Sequence, residues 1–259
     1  MKTSEMTPLT EYFNVPYELM PFIPALHQDL WELGNSPQLI ADWLRTLNLP
    51  ENQTCTLDLG CGKGAVSLNL AKEFQFRVLG IDIFEPFINE AKAQAQQLGV
   101  SHLCEYEMFD LRDFVRSAHG FDMVLLNSVG GVLGSFKQTI SRLRKCVKTG
   151  GYIVISDGFR WTSRYIDLPG YAHYMAYPDT IAQLTAFGDK MVNEKIFSKE
   201  VVKMVNHKNI KTITNEIEKL EKQHPELSSK FYSYLAREMQ ECEILENDIA
   251  CAVWMMQKV

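Results

Sequence analysis

The chain is poor in the features that mark disulfide scaffolds, zinc modules and nucleic-acid binders. Its six cysteines, Cys55, Cys61, Cys104, Cys146, Cys242 and Cys251, include no C-x-x-C pair, which excludes a zinc-ribbon spacing and argues against a disulfide framework. Several fall in apolar stretches, as buried free thiols of a reducing cytoplasm do. Basic residues are in deficit. The 26 Lys and Arg against 32 Asp and Glu leave a net charge of −6, the wrong sign for a surface built to meet phosphate backbones. The Lys-rich stretch 203–222 is interleaved with Glu and reads as a solvated helix face. No apolar run approaches a membrane span, and the N-terminal stretch has none long enough for a signal peptide. No His, Cys or acidic cluster has metal-ligand spacing. These absences predict a cytoplasmic protein with no nucleic-acid, membrane or metal partner. Its 259 residues suffice for one large α/β domain with an added lobe.

What is present begins at residues 57–64, Leu-Asp-Leu-Gly-Cys-Gly-Lys-Gly, followed after one helical segment and a second apolar strand by Ile81-Asp82. This order describes a strand ending in a glycine turn that feeds a helix, with an acid closing the next strand. A nucleoside-bearing ligand needs those parts: backbone free to approach it closely, and a carboxylate to accept hydrogen bonds from ribose hydroxyls. The dinucleotide fingerprint is G-x-G-x-x-G. Here Gly60, Gly62 and Gly64 alternate, and Ala65 stands where the third glycine of that fingerprint would be. Ala is tolerated there, so a nicotinamide or flavin enzyme stays open. Asp58 argues the other way, because a carboxylate beside a pyrophosphate is repulsive. Beside a sulfonium or an α-ammonium group it is attractive.

The motif D-x-G-x-G-x-G, followed by an acid at the end of the second strand, resembles the class I S-adenosylmethionine-dependent methyltransferases. The likeness continues through residues 105–110 (Glu-Tyr-Glu-Met-Phe-Asp), residues 121–128 (Phe-Asp-Met-Val-Leu-Leu-Asn-Ser) and the helix–turn–strand unit at 143–155, covering roughly residues 54–158. What the resemblance implies is S-adenosyl-L-methionine as cofactor. Asp58 would lie near its methionine end, Gly60, Cys61 and Gly62 would allow close backbone approach, and Asp82 with Ile83 would meet the ribose. Asp110 with Leu111 would lie near adenine, and Asn127 at the methyl-transfer mouth. Asp110 has a second reading as the cap of a helix starting near Leu111. Asp122 is expected to start the fourth strand, outside the site.

Strands are expected near 54–59, 76–82, 103–108, 121–127, 151–157, 190–197 and 249–257. Helices are expected at 64–73, 85–98, 111–117, 135–147 and 180–187. Strand–helix alternation implies an α/β fold: a doubly wound, mostly parallel, seven-stranded Rossmann-like sheet with right-handed crossovers. By the resemblance its last strand is antiparallel. Ligands bind outside the carboxyl ends of such strands, where Asp58, Asp82, Asp110, Asn127 and Asp157 fall. Four segments follow from this reading. Residues 1–50 are an N-terminal helical cover, with helical spacing from Leu19 to Leu33 and a short helix from Pro37 to Leu47. Residues 51–197 are the cofactor-binding core. Residues 198–246 are a helical insert, broken at His224-Pro225, and 247–259 carry the final strand. The apolar positions Val201, Val205, Ile210, Ile213, Ile217 and Leu220 give the insert one apolar face. It is read as a lid, with a homodimer arm as the alternative.

A methyl group on a sulfonium is already electrophilic, so residues that orient the acceptor and exclude water matter most. Asn127 is the candidate for orienting it. His173 is the first candidate base, followed by His207 and His27. Trp161, Tyr171 and Tyr174, in the long connection from Gly158 to Asp179, are candidate substrate-wall residues; Tyr165 and Tyr177 share that connection. Tyr12, Phe13 and Tyr17 are candidates to fold over a ligand. The reading is a methyltransferase acting on a small molecule. The alternatives are a protein methyltransferase and a cofactor-binding module without catalysis.

Overall fold

The computed structural model describes residues 15–33, 36–47, 49–164, 166 and 170–259. Two compact units emerge: residues 32–197 with 248–259, and residues 1–31 with 198–247.

The first unit is a seven-stranded sheet. Its strands are β1 (Cys55–Leu59), β2 (Arg77–Asp82), β3 (Cys104–Met108), β4 (Phe121–Asn127), β5 (Val147–Arg160), β6 (Lys190–Ile196) and β7 (Ile249–Gln257), in the order β3-β2-β1-β4-β5-β7-β6. β1 to β5 pair in parallel, and β7 runs antiparallel to both β5 and β6. β6 therefore runs with the parallel set, so the chain leaves the sheet after β6 and re-enters at β7 on the carboxyl edge.

Strand alternation sorts the core onto two faces. Leu57, Leu59, Val124 and Leu126 pack with Ile140 and Leu143 of the Phe136–Cys146 helix. Met123 and Leu125 face the other way, toward Val66 and Leu70 of the Ala65–Phe74 helix and Ile40 of the Pro37–Leu44 helix. β7 is buried on both faces because it lies inside the sheet, and Trp254 at its centre donates to Glu194 Oε1 at 2.7 Å. The strand order reverses between β1 and β4, and crevices form at such reversals.

In the second unit, helices Lys199–Gln223 and Ser228–Asn247 are joined by a 3₁₀ turn at Pro225–Leu227. The helix expected across Leu19–Leu33 is reduced to a 3₁₀ turn at Tyr17–Phe22 and one turn at Ile23–Leu26, because Pro21 and Pro24 supply no N–H. Of the apolar stripe, Ile213 and Ile217 are buried while Val201 and Val205 are exposed. Among the described residues, no helix is long and apolar enough to cross a membrane.

Candidate active site

The site grows from the end of β1. Gly60 and Cys61 donate their N–H groups to Ile81 O at 2.8 and 3.0 Å, which ties the glycine turn to the end of β2. Gly60 has φ +70° and Gly64 φ +83°, backbone that side-chain-bearing residues rarely adopt. Space is equally restrictive. A Cβ at Gly60 would collide with Val129, and one at Gly64 would sit 2.8 Å from Tyr106 Oη. The turn closes so tightly that Lys63 between the glycines is wholly buried, with Nζ 3.1 Å from Glu90 and 5.8 Å from the centre of the Phe87 ring.

Two buried carboxylates face this turn. Asp58 accepts from Ser67 Oγ at 2.6 Å, and Asp82 accepts from Gly62 N at 2.8 Å and Phe84 N at 2.9 Å. Burial pushes Asp58 up to about 6 despite the Ser67 hydrogen bond, and it raises Asp82 as well. Neither forms an ion pair among the described residues. The turn is consequently a cradle flanked by two buried carboxyls, surroundings that suit a cationic group better than an anionic one. Burial and the neighbouring Asp82 and Asp58 raise the Cys61 thiol well above its ordinary value, so it stays protonated and is no nucleophile.

Asp110 caps the Leu111–Phe114 helix, accepting from Arg112 N at 2.8 Å, and the Arg112 side chain grips it with Nε and Nη2 at 2.6–3.0 Å. Arg112 accordingly holds its carboxyl below the ordinary value. Of the two readings of Asp110 the helix cap is the one observed; its neighbour Phe109 is exposed and donates its N–H to Asp82 O at 2.9 Å. Ile83 follows Asp82 half-buried, and Leu111 is buried. Asp122 lies away from the cradle near the start of β4, accepting from Cys55 N and Lys148 Nζ.

At the end of β4, Asn127 has Oδ1 and Nδ2 both buried without a partner among the described residues. A strand-end amide in that condition costs stability unless a ligand satisfies it. The chain then turns sharply through Ser128, at φ +55°, and Ser128 N donates to Ser156 O at 2.9 Å. The next turn, Gly130–Leu133, meets His173: a Cβ at Gly131 would lie 2.7 Å from His173 Nδ1.

His173 is therefore brought against the turn that follows Asn127, but not as a free base. Nδ1 donates to Gly170 O at 2.9 Å and Nε2 faces Asp157 Oδ2 at 3.0 Å, with both side chains nearly inaccessible. With a hydrogen on Nδ1, one proton is shared between Nε2 and the carboxylate. Tyr174 packs on His173 with centroids 4.1 Å apart, and burial with the neighbouring Asp157 raises its phenol well above the ordinary value. Tyr171 packs on Tyr174 at 5.3 Å, and Trp161, about half exposed, leans on Phe159. Tyr177 packs on Phe159 at 5.0 Å.

His27, His207 and Tyr17 belong to the other unit, where His27 Nδ1 lies 2.9 Å from Ile23 O. Tyr12, Phe13 and Tyr165 lie outside the described residues. Sequence reasoning gave no role to Ser67 or Lys63, and only a strand-end position to Asp157. For Asp157 that position was the available signal. For Ser67 the signal was its place nine residues after Asp58, one helical turn into the helix that follows.

Residues 50–216 match a family model described as a methyltransferase domain. In fold the chain is similar to an S-adenosylmethionine-dependent methyltransferase of Geobacter sulfurreducens crystallised with S-adenosyl-L-homocysteine. The TM-score is 0.77 at 17% identity, covering 92% of this chain and 98% of that one. In sequence it is similar to phosphoethanolamine N-methyltransferase 1 of Arabidopsis thaliana, 24% identical over 197 residues, 73% of this chain and 38% of the relative. It is also similar to a ribosomal protein L11 methyltransferase of Yersinia pseudotuberculosis, 32% identical over 118 residues, 46% of this chain and 38% of the relative. The chain spans about two-fifths of the length of the curated relatives it matches.

Proposed function

The chain belongs to the class I S-adenosylmethionine-dependent methyltransferases, and from that premise we propose that it methylates a small-molecule acceptor. The observation that carries the cofactor assignment is the pair of buried, unpaired carboxylates, Asp58 and Asp82, around the glycine turn. A cradle flanked by two buried carboxyls suits a ligand bearing an α-ammonium and a sulfonium better than a pyrophosphate.

The cofactor, when bound, supplies a methyl group already activated on sulfur. Asp58 would hold its ammonium end and Asp82 its ribose, with Cys61 and Ile83 beside them; Asp110 and Leu111 would border the adenine. The chain's remaining work is to orient the acceptor and keep water out. Asn127, with an acceptor and a donor to offer, would hold the acceptor's polar group. Trp161, Tyr171 and Tyr174 would wall it, and their aromatic faces favour an apolar or cationic acceptor. Where the acceptor has a proton to lose, His173 Nε2 would take it only with the shared proton resting on Asp157 and the hydrogen bond between them broken, so the two act as a unit. A net charge of −6 and the partly buried polar site favour a compact acceptor over nucleic acid.

The test has two stages. Calorimetric titration with S-adenosylmethionine, S-adenosylhomocysteine and NAD should show binding of the first two alone, lost in Asp82→Ala by roughly a hundredfold, the worth of two hydrogen bonds to a charged group. Binding of NAD alone would overturn the cofactor reading. Label transfer from methyl-tritiated cofactor to panels of small amines, alcohols and thiols, run beside a peptide pool, then tests the acceptor. Labelled peptides with no labelled small molecule would refute that half.

A further inference from the structure

Away from the cradle, the groove between the Leu111–Phe114 segment and the Phe136–Cys146 helix holds a cavity of about 540 Å³. The two walls are tied by a Cys146 Sγ contact to Val115 O at 3.8 Å. The polar groups lining it are Arg112, Arg116, Gln138, Arg142 and Lys145, and no acidic side chain lines it. On the helical wall the spacing explains the clustering: 138, 142 and 145 are i, i+4 and i+7, one stripe of a helix. On the opposite wall Arg112 and Arg116 are four apart, on the same side of their turn.

The charges are only half balanced. Arg112 is paired with Asp110, and Arg116 lies 3.4 Å from Asp113. Arg142 and Lys145 form no ion pair among the described residues. Lys145 stands in the last helical turn, where a cation complements the helix dipole, but Arg142 and Arg116 have no such reason to face one hollow. Gln138 Oε1 is occupied by Ser135 N at 2.9 Å, leaving its amide N–H groups as what it can offer. Every polar side chain at the rim thus has N–H groups to offer, in a protein with an overall acidic charge.

We infer that this cavity is a binding site for a small phosphoanion, a phosphate monoester or pyrophosphate group on a compact molecule, separate from the methyl-transfer site. Arginine forks match tetrahedral oxyanions in geometry as well as charge, and two unbalanced cations suit a dianion. The volume falls in the range of small-ligand pockets and is too small for a nucleic-acid helix. None of its lining residues belongs to the cradle of Asp58, Gly60–Gly64, Asp82 and Asn127, so both sites can be filled at once.

The probe is inorganic pyrophosphate, titrated calorimetrically into the full chain at low ionic strength, with and without saturating S-adenosylhomocysteine. Binding should persist in its presence. It should weaken roughly tenfold or more for each cation lost, in the double variant Arg142→Gln/Lys145→Gln and separately in Arg116→Gln on the opposite wall. Affinity for S-adenosylhomocysteine should be unchanged in both, which also shows that they fold. If the double variant does not fold, Arg116→Gln alone decides. Absence of pyrophosphate binding, equal affinity in the variants, or displacement by S-adenosylhomocysteine would each overturn the inference; the last would put the anion in the cofactor cradle.

Discussion

Replacing Asp58 by Asn separates what the cradle costs the fold from what it does for the ligand. Asp58 is 2% exposed, and burial raises it from 3.8 to about 6, with Ser67 pulling the other way and Asp82 adding to the rise. A carboxyl raised on folding binds protons more tightly in the native state than in the unfolded one. Its contribution to stability is therefore fully present below pH 3.8 and is lost as pH climbs through about 6. Above that, the ionised group costs about 3 kcal/mol, from ~1.4 kcal/mol per pH unit of displacement. Asn is close in shape, keeps an oxygen for Ser67 Oγ–H, and carries no charge. Asp58→Asn should then leave stability near pH 4 almost unchanged and raise it by up to about 3 kcal/mol at pH 7.5, less whatever the new N–H₂ lacks in partners. Urea denaturation of both proteins at the two pH values measures this, and the gain should appear between those limits. The same variant should bind S-adenosylmethionine at least roughly tenfold more weakly, because a charged hydrogen bond to the ammonium is lost. A stability difference that does not change with pH would refute the buried-charge argument, whatever happens to binding.

The other expectations concern the mouth. Asn127→Ala removes two polar atoms that have no partner among the described residues, so stability should hold or rise by up to about 1 kcal/mol while kcat falls roughly 10–100-fold; a destabilised protein with intact kcat would show that the amide is structural. His173→Ala strips the partner from a nearly inaccessible Asp157 and should cost about 3–5 kcal/mol in chemical denaturation. A loss below ~1 kcal/mol would mean that the pair contributes little to the fold. Trp161→Ala, at a half-exposed ring, should leave the melting temperature within a few degrees and raise KM for the acceptor with kcat little changed. Unchanged KM would remove Trp161 from the acceptor wall.

Much of the sheet was legible because two periodicities alternate cleanly from Thr54 onward, and the first three strands end at or within two residues of Gly60, Asp82 and Asp110. Expected and observed strands agree within a residue or two, except that β5 runs from Val147 to Arg160. Its early start comes from a bulge in the pairing with β4 between Phe121 and Met123, and its extension past Asp157 from antiparallel pairing with β7 down to Ile249. Neither leaves a local signature. The N-terminal segment misled for the opposite reason: apolar spacing from Leu19 to Leu33 is helical, but two prolines deny the backbone its hydrogen bonds.

The sequence by itself determined the glycine turn, the acids at the strand ends and their order along one sheet edge, because those depend on φ/ψ sterics and on short-range alternation. Only the tertiary structure decided how these groups are partnered. It joined Asp58 to Ser67 and Asp82 to Gly62 N, turned Lys63 inward, and left Asn127 without a partner among the described residues. It also turned His173 from a lone histidine into half of a buried pair with Asp157 across 16 residues of chain. Charge, burial and proton sharing depend on which side chains meet after the chain has folded back on itself. The basic groove between residues 112–116 and 138–145 is the same kind of fact: five residues unremarkable in sequence are brought to face one cavity by the packing of two short segments.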